Sequence, residues 1–426
     1  MKIAIVSKSD RNGGGASRVA EDLATWLNDA GHPTDHLIAF NFKEPLSFQR
    51  SLYAQRIRFK VCKKIHEKTK EYGFPELFPV EYWFNLSRIL DNYDVVHFHD
   101  LYTAISPLTL ALTSRRKPTF FTVHDCSPFT GGCVYPMGCD KFTSDCHKCP
   151  QLPEGKNKEK IPDHTREIQT IKRWIASKFN IRYIFPSHWM LQEAQQALKF
   201  KISPVVIPNG LNLQCFPSVK KVDAKNSLGI PEHRKVVVIS AHGLFDPRKG
   251  VKYAITALQS VRDLSPIVLA VGHCNDELRQ ALEGVEVREM GFISDPNFLA
   301  QVYSATDVML FCTLADNLPL TVLEAMAAST PVIGFSTGGV PEMIQTGRNG
   351  ILVEPTNQQA LNQALRQALL SSDLEAMGQQ ARRDVENYFS RAVCVEKHLQ
   401  LYQNFEHSLS KIDLQSVVPT EPAINR

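Results

Sequence analysis

No run of about 18 or more apolar residues occurs in this chain, the length a membrane-spanning helix needs, so no such helix is expected. The opening residues, Met-Lys-Ile-Ala-Ile-Val-Ser-Lys-Ser, turn polar too soon for a secretory signal and read as a first strand. The expected location is therefore the cytoplasm, where ten cysteines are free or metal-bound rather than disulfide-bonded. A strong charge of either sign is also missing. The net charge of +4 demands no polyanionic partner, and no nucleic-acid ligand is expected. Gly13-Gly14-Gly15 lacks the G-x-G-x-x-G spacing, and no acid follows a second strand where a dinucleotide's ribose would need it. That excludes the dinucleotide fingerprint.

What is present is a chain of 426 residues, 43% apolar and 22% charged, with the composition of a soluble globular protein. It is too long for one core and divides into about two domains. Short apolar runs, Lys2–Val6, His36–Phe40, Asp94–Asp100, Pro118–Asp125 and Arg182–Phe185, alternate with helical periodicity, as they do in α/β proteins with parallel sheets. A second alternation starts at Lys235–Ser240, after a junction at Val205–Asn212 that Pro208 and Gly210 interrupt. The expected division is a first domain over 1–208, a second over 209–390, a returning helix over 391–409, and a polar, disordered tail over 410–426.

The second half is organised around Asp316-Asn-Leu-Pro-Leu-Thr-Val-Leu-Glu324, followed by Gly338-Gly339-Val-Pro-Glu342. Ala305–Phe311 reads as a strand, Pro319 fits the first turn of a helix over Leu320–Ala328, and Pro331–Gly334 reads as the next strand. The N–H groups of Leu320 and Thr321 then lie unpaired at a helix start beside a strand end, a place that attracts phosphate. Glu324, one turn further in, can accept from two ribose hydroxyls. Taken singly, Asp316 reads equally well as a cap and Glu324 as a surface acid.

Other stretches carry chemistry of their own. Gly14 and Gly15 join the first strand to an amphipathic helix whose stripe is Val19, Leu23, Leu27 and Ala30; they form either a tight turn or the floor of a ligand cleft. His99, His124 and Ser187 each end an apolar run, so they can converge beyond the carboxyl edge of one sheet, although a single histidine there can equally be structural. Arg248 and Lys249, beside a helix start, can clamp a diphosphate or can be solvated surface. Residues 50–72 hold eight Lys or Arg against two Glu, with Leu52, Ile57, Val61 and Ile65 at helical spacing. That is either a solvated helix or one that lies on an anionic membrane. Cys133, Cys139, Cys146 and Cys149 have spacings that can close a tetrahedral zinc site of structural type; disulfides are the rival reading.

The acid, seven residues and second acid at Asp316 and Glu324 resemble the E-x7-E signature of retaining GT-B glycosyltransferases, family 4, with Asp in place of the usual first Glu. His124-Asp-x-x-Pro-Phe-Thr-Gly-Gly-Cys133 and Cys146-x-x-Cys149-Pro-Gln resemble the subset that builds exopolysaccharides of colanic-acid type. The resemblance spans Lys2 to about Phe405 and implies two Rossmann-like domains facing a cleft. It implies transfer of a hexose from a UDP- or GDP-sugar to a hydroxyl of a glycan or lipid-linked acceptor at the inner face of the membrane. The anomeric configuration would be kept, with no nucleophilic side chain and no catalytic metal, and no Asp-x-Asp motif accompanies the site. It implies that Glu324 binds ribose, that Arg248, Lys249 and the backbone at Leu318, Leu320 and Thr321 bind diphosphate, and that Gly14 and Gly15 border the phosphates or acceptor. Asp316 and His124 would position the sugar. The rival functions are a nucleotide-sugar epimerase of the same architecture and a non-catalytic scaffold subunit that binds sugar nucleotides.

Overall fold

The computed structural model describes the backbone of residues 1–152, 161–243 and 246–415, and the side chains of these except 241–243 and 405–415. Its first sheet consists of Ile3–Ser9 (β1), Thr34–Phe40 (β2), Gln49–Ser51 (β3), Val95–His99 (β4), Thr119–Thr122 (β5), Ile181–Phe185 (β6) and Val205–Val206 (β7). Its second consists of Val236–Gly243 (β8), Ile267–His273 (β9), Glu286–Gly291 (β10), Val308–Phe311 (β11), Val332–Phe335 (β12) and Gly350–Val353 (β13). Runs such as Val-Val-His-Phe-His in β4 are buried along their whole length because helices cover both faces of a parallel sheet. The strand orders are 3-2-1-4-5-6-7 and 10-9-8-11-12-13, and the pairings are parallel. Each order reverses once, between β1 and β4 and between β8 and β11. Ligands bind at such reversals, beyond the carboxyl ends of the strands.

Four apolar clusters, two to a sheet, form the cores. The chain crosses between the sheets beside its own return. Leu211 N–H donates to Phe389 O at 2.8 Å, and Arg391 N–H donates to Leu211 O at 2.9 Å. A side chain at Gly210 would collide with Cys394 and Trp26, so this close approach needs glycine. The helix Arg391–Gln415 then packs against the first domain, where Cys394, Val395 and Tyr402 join the cluster of Ile3, Ile5 and Leu23. Of the expected tail, 410–415 continue this helix and 416–426 lie outside the described residues.

Three local expectations need correction. The helix Gly15–Asp29 buries Ala20, Leu23, Ala24 and Leu27, while Val19 faces the cleft and Ala30 lies past the helix end. Pro319 caps the helix Leu320–Ala327 from the preceding position, at φ −68° and ψ 125°, because its ring suits an extended residue that leads into the first turn. The basic helix Arg56–Glu71 turns Cys62 and His66 inward, packs Ile65 half-buried against the core, and leaves Ile57 75% and Val61 42% exposed, so only part of the expected apolar stripe lies on its buried face. The helix begins only at Arg56, and Leu52 is buried ahead of it.

The Tyr402 ring is fully buried and its hydroxyl lies 2.7 Å from His97 Nδ1. Tyr402→Ala should therefore destabilise the protein by about 3–5 kcal/mol through the cavity it leaves, measured as a lower urea midpoint. An unchanged midpoint would show that the returning helix does not support the first domain.

Candidate functional site

The loops at the two reversals face each other across a cleft of about 810 Å³. From the second domain come Arg248 and Lys249, after β8, and Asp316 to Glu324, after β11. From the first come Gly14, Gly15 and His124. Leu318, Leu320 and Thr321 also line it, so the cleft brings together the expected donor-site residues. The four cysteines lie elsewhere.

Glycines set the Asp316 loop. Gly338 has φ +60°, and a Cβ on it would strike the Asp316 carbonyl; one on Gly339 would strike the Asn317 carbonyl. The Gly339 N–H donates to Asp316 O at 3.2 Å. Gly250, at φ +62°, comes equally close to Cys312 O and caps the helix Val251–Ser260. The Leu314 N–H donates to Arg248 O at 2.7 Å, which ties the two loops into one wall. On that wall Lys249 Nζ donates to Asp316 at 2.7 Å, and Arg248 lies 3.5 Å from the same carboxylate. Arg248 also donates to the Ala315 carbonyl at 2.8 Å and stacks its guanidinium on Tyr135, 5.1 Å from the ring centre. Arg248 also donates to Asp246 at 3.2 Å, so the two cations are held by two carboxylates, and an anion would be taken by exchanging these contacts.

Glu324 is 2% exposed, yet it is paired across the cleft: Arg18 Nη1 donates to it at 2.6 Å. Burial works against the charge of Arg18, but Glu324 and Asp22 hold its pKa above the ordinary value. Sequence reasoning missed Arg18. The available signal was its position on the first turn of the helix that leaves Gly14-Gly15, which aims it where those glycines lead.

Of the three polar strand ends, the cleft takes only His124 into its lining. His99 stands one layer behind, with Nδ1 3.0 Å from His124 Nε2. Ser187 caps the helix His188–Ala197 and donates to Asn317 Oδ1 at 2.6 Å, so it belongs to the domain joint. Asn317 completes that joint by donating to the carbonyls of Val123 and His124. Glu342 accepts from the N–H groups of His188 and Trp189 at 2.8 and 2.7 Å, capping the same helix from the second domain.

Residues 13–214 match the family described as Glycosyltransferase Family 4, and residues 234–371 match Glycosyl transferases group 1. The chain belongs to the family 4 glycosyltransferases. It is 26% identical over 283 residues to an uncharacterized glycosyltransferase of Methanocaldococcus jannaschii, covering 64% of this chain and 65% of that one. In two further curated relatives it spans 58% and 50% of their length. It is 24% identical over 333 residues to Escherichia coli WcaC, named for colanic acid biosynthesis, covering 73% and 76% of the two chains. Among solved structures it superposes on sucrose-phosphate synthase of Thermosynechococcus elongatus with a TM-score of 0.67 at 20% identity, covering 96% and 99%. It superposes on Anabaena HepE in complex with UDP with a TM-score of 0.63 at 17% identity, covering 95% and 100%. These likenesses show the GT-B fold.

In this family 4 chain the cysteine loop packs on the first domain. Cys133, Cys139, Cys146 and Cys149 border one small crevice and are free thiols. Among the described residues no group of three or more His, Cys, Asp or Glu stands arranged to hold a metal ion. Burial pushes the thiols of Cys133, Cys146 and Cys149 up, and Cys146 Sγ accepts from the Gly131 N–H. Lys172 holds the start of the loop: its ammonium donates to the carbonyls of Ser127 and Thr130 at 2.7 and 3.2 Å.

Two half-buried carboxylates, Asp100 and Asp125, follow His99 and His124 in sequence. Burial pushes Asp125 up, and it pushes Asp100 up to about 6 although Lys8 and a hydrogen bond from Ser17 oppose it. A carboxylate raised in the folded state adds stability below its unfolded pKa of about 3.8 and loses it as the pH rises through about 6. Asp100→Asn mimics the neutral acid and can keep the Ser17 contact. It should match wild type near pH 4 and exceed it by up to about 3 kcal/mol above pH 7, read from urea denaturation at both pH values. A variant that is less stable at the higher pH would refute the shift.

Proposed function

We propose that this protein is a retaining glycosyltransferase that moves a hexose from a nucleoside diphosphate sugar, UDP-sugar being the first candidate, to a hydroxyl of a glycan or lipid-linked acceptor in polysaccharide assembly. The observation that carries the reading is the cleft itself: an unpaired helix start at Leu320, two cations and two carboxylates converge there from different loops. HepE, of the same fold, is solved with UDP and with UDP-glucose, which supports testing uridine nucleotides first.

In this reading Glu324 takes two ribose hydroxyls, and Arg248, Lys249 and the N–H groups at Leu320 and Thr321 take the diphosphate. Charge builds on the diphosphate as the bond from the sugar's anomeric carbon to the phosphate oxygen breaks, and fixed donors aimed at it lower the barrier. The acceptor oxygen bonds to the anomeric carbon on the same face, and its proton passes to the departing phosphate. Asp316 and His124 orient the sugar. No metal is assigned a step.

The donor assignment is tested by calorimetry with UDP, GDP and ADP. Glu324→Ala should weaken the preferred nucleotide by about tenfold to hundredfold, the worth of one or two hydrogen bonds to a charged group. Equal affinity in the variant would remove Glu324 from the ribose. Conversion of donor alone into another sugar nucleotide would replace transferase by epimerase.

The membrane side of the proposal rests on the helix Arg56–Glu71, where Ile57 and Val61 project among Arg56, Lys60 and Lys64. Such a surface suits anionic lipid, near which a lipid-linked acceptor would lie. The protein should sediment with phosphatidylglycerol vesicles and not with phosphatidylcholine ones, and Ile57→Asp should reduce the bound fraction. Equal recovery with both vesicles would end this part of the reading. Among the described residues no helix is long and apolar enough to cross a membrane.

A further inference from the structure

Behind the cleft the first domain holds a column of buried histidines that the donor contacts do not use. His97 has a partner on each ring nitrogen: the Tyr402 hydroxyl at 2.7 Å from Nδ1 and Thr122 Oγ1 at 2.8 Å from Nε2. The ring of His99 lies 4.2 Å from that of His97, centre to centre, and reaches His124 with Nδ1. The other nitrogen of His99, Nε2, is buried with no hydrogen-bond partner. Asp100, next in sequence, turns back to Ser17 and does not meet it.

The contact between His99 and His124 joins two neutral rings. Burial drives His99 well below the ordinary histidine value and His124 down to about 3, and the neighbouring histidines push the same way. One ring must then donate an N–H and the other accept it with a lone pair. If His124 donated from Nε2, His99 would carry its own proton on Nε2, a buried N–H with no acceptor. If His99 donates from Nδ1, its Nε2 is a bare lone pair. Protein interiors tolerate an unmet acceptor better than an unmet N–H. The second arrangement therefore costs less.

We infer that His99 is a positioning residue that fixes His124 as its Nδ1–H tautomer, so that His124 offers the cleft a hydrogen-bond donor and no base. The bond made by one ring nitrogen sets what the other presents, as it does in metal and catalytic sites. The partner this implies is an oxygen of the transferred sugar, so the inference rests on the proposed placement of that sugar beside His124. A ring whose only lone pair is held by His99 has no place for the acceptor's proton. That leaves the departing phosphate as its destination.

The test is a long-range proton–nitrogen spectrum of the full chain, labelled with nitrogen-15 at histidine and free of ligand. His124 is assigned by the signal lost in His124→Asn. The expected result is a protonated Nδ1 and a bare Nε2; a protonated Nε2 on His124 in wild type would overturn the inference. In His99→Leu the ring should move toward the Nε2–H form that free imidazole prefers, and an unmoved ring would likewise overturn it. Calorimetry with UDP and UDP-glucose separates this from the proposed function. His99→Leu should leave UDP affinity unchanged and reduce the gain due to glucose by about tenfold, the worth of one hydrogen bond. A changed tautomer with an unchanged glucose gain would uphold the His99 assignment and remove the sugar from His124.

Discussion

The hydrogen bonds of one amide hold the site together. Asn317 stands next to Asp316 on the second domain, accepts from Ser187, and donates to the carbonyls of Val123 and His124 on the first. Its neighbours on both sides, Asp316 and Leu318, line the cleft. The joint therefore fixes the distance between the wall that carries the cations and the strand end that carries His124. A buried amide of this kind is tolerated because its polar atoms are met, and each of those bonds would be costly to leave unmade. Gly338 and Gly339 serve the same end from below, since only residues without a Cβ let the next turn press against the carbonyls of Asp316 and Asn317.

Charge in the cleft is arranged in pairs that a ligand can exchange. Lys249 and Arg248 face Asp316, and Arg18 faces Glu324. Each cation is already paired in the ligand-free chain: Arg248 with Asp246 and Asp316, Lys249 with Asp316, and Arg18 with Glu324 and Asp22. A diphosphate entering such a site meets cations already held in place, so little ordering is left for the binding step.

Much of this was legible in the sequence because it is local. A continuous apolar run announces a buried parallel strand, and Pro319 followed by Leu320 announces a helix start, so Asp94–Asp100, Pro118–Asp125 and the Asp316–Glu324 turn could be placed from neighbours alone. The short Gln49–Ser51 strand could not, since three polar-flanked residues carry no period. Arg18, Asn317 and His99 were not legible as they act, because their partners lie 306, 130 and 25 residues away along the chain. The exposed face of Arg56–Glu71 misled for a related reason: Ile57 and Val61 follow helical spacing, but the domain offers its apolar surface to Cys62 and His66.

The two chain crossings, at Leu211 and at Ser390, lie side by side and hydrogen-bond to each other. There the two crossing segments pair backbone to backbone; elsewhere Arg18, Ser187, Asn317 and Glu342 meet the opposite domain through a side chain. The molecule is bound like a book, sewn along one edge and merely latched along the others. Undoing the latches exchanges polar contacts for water and breaks no ladder, so the covers can part about their spine while each page keeps its core intact.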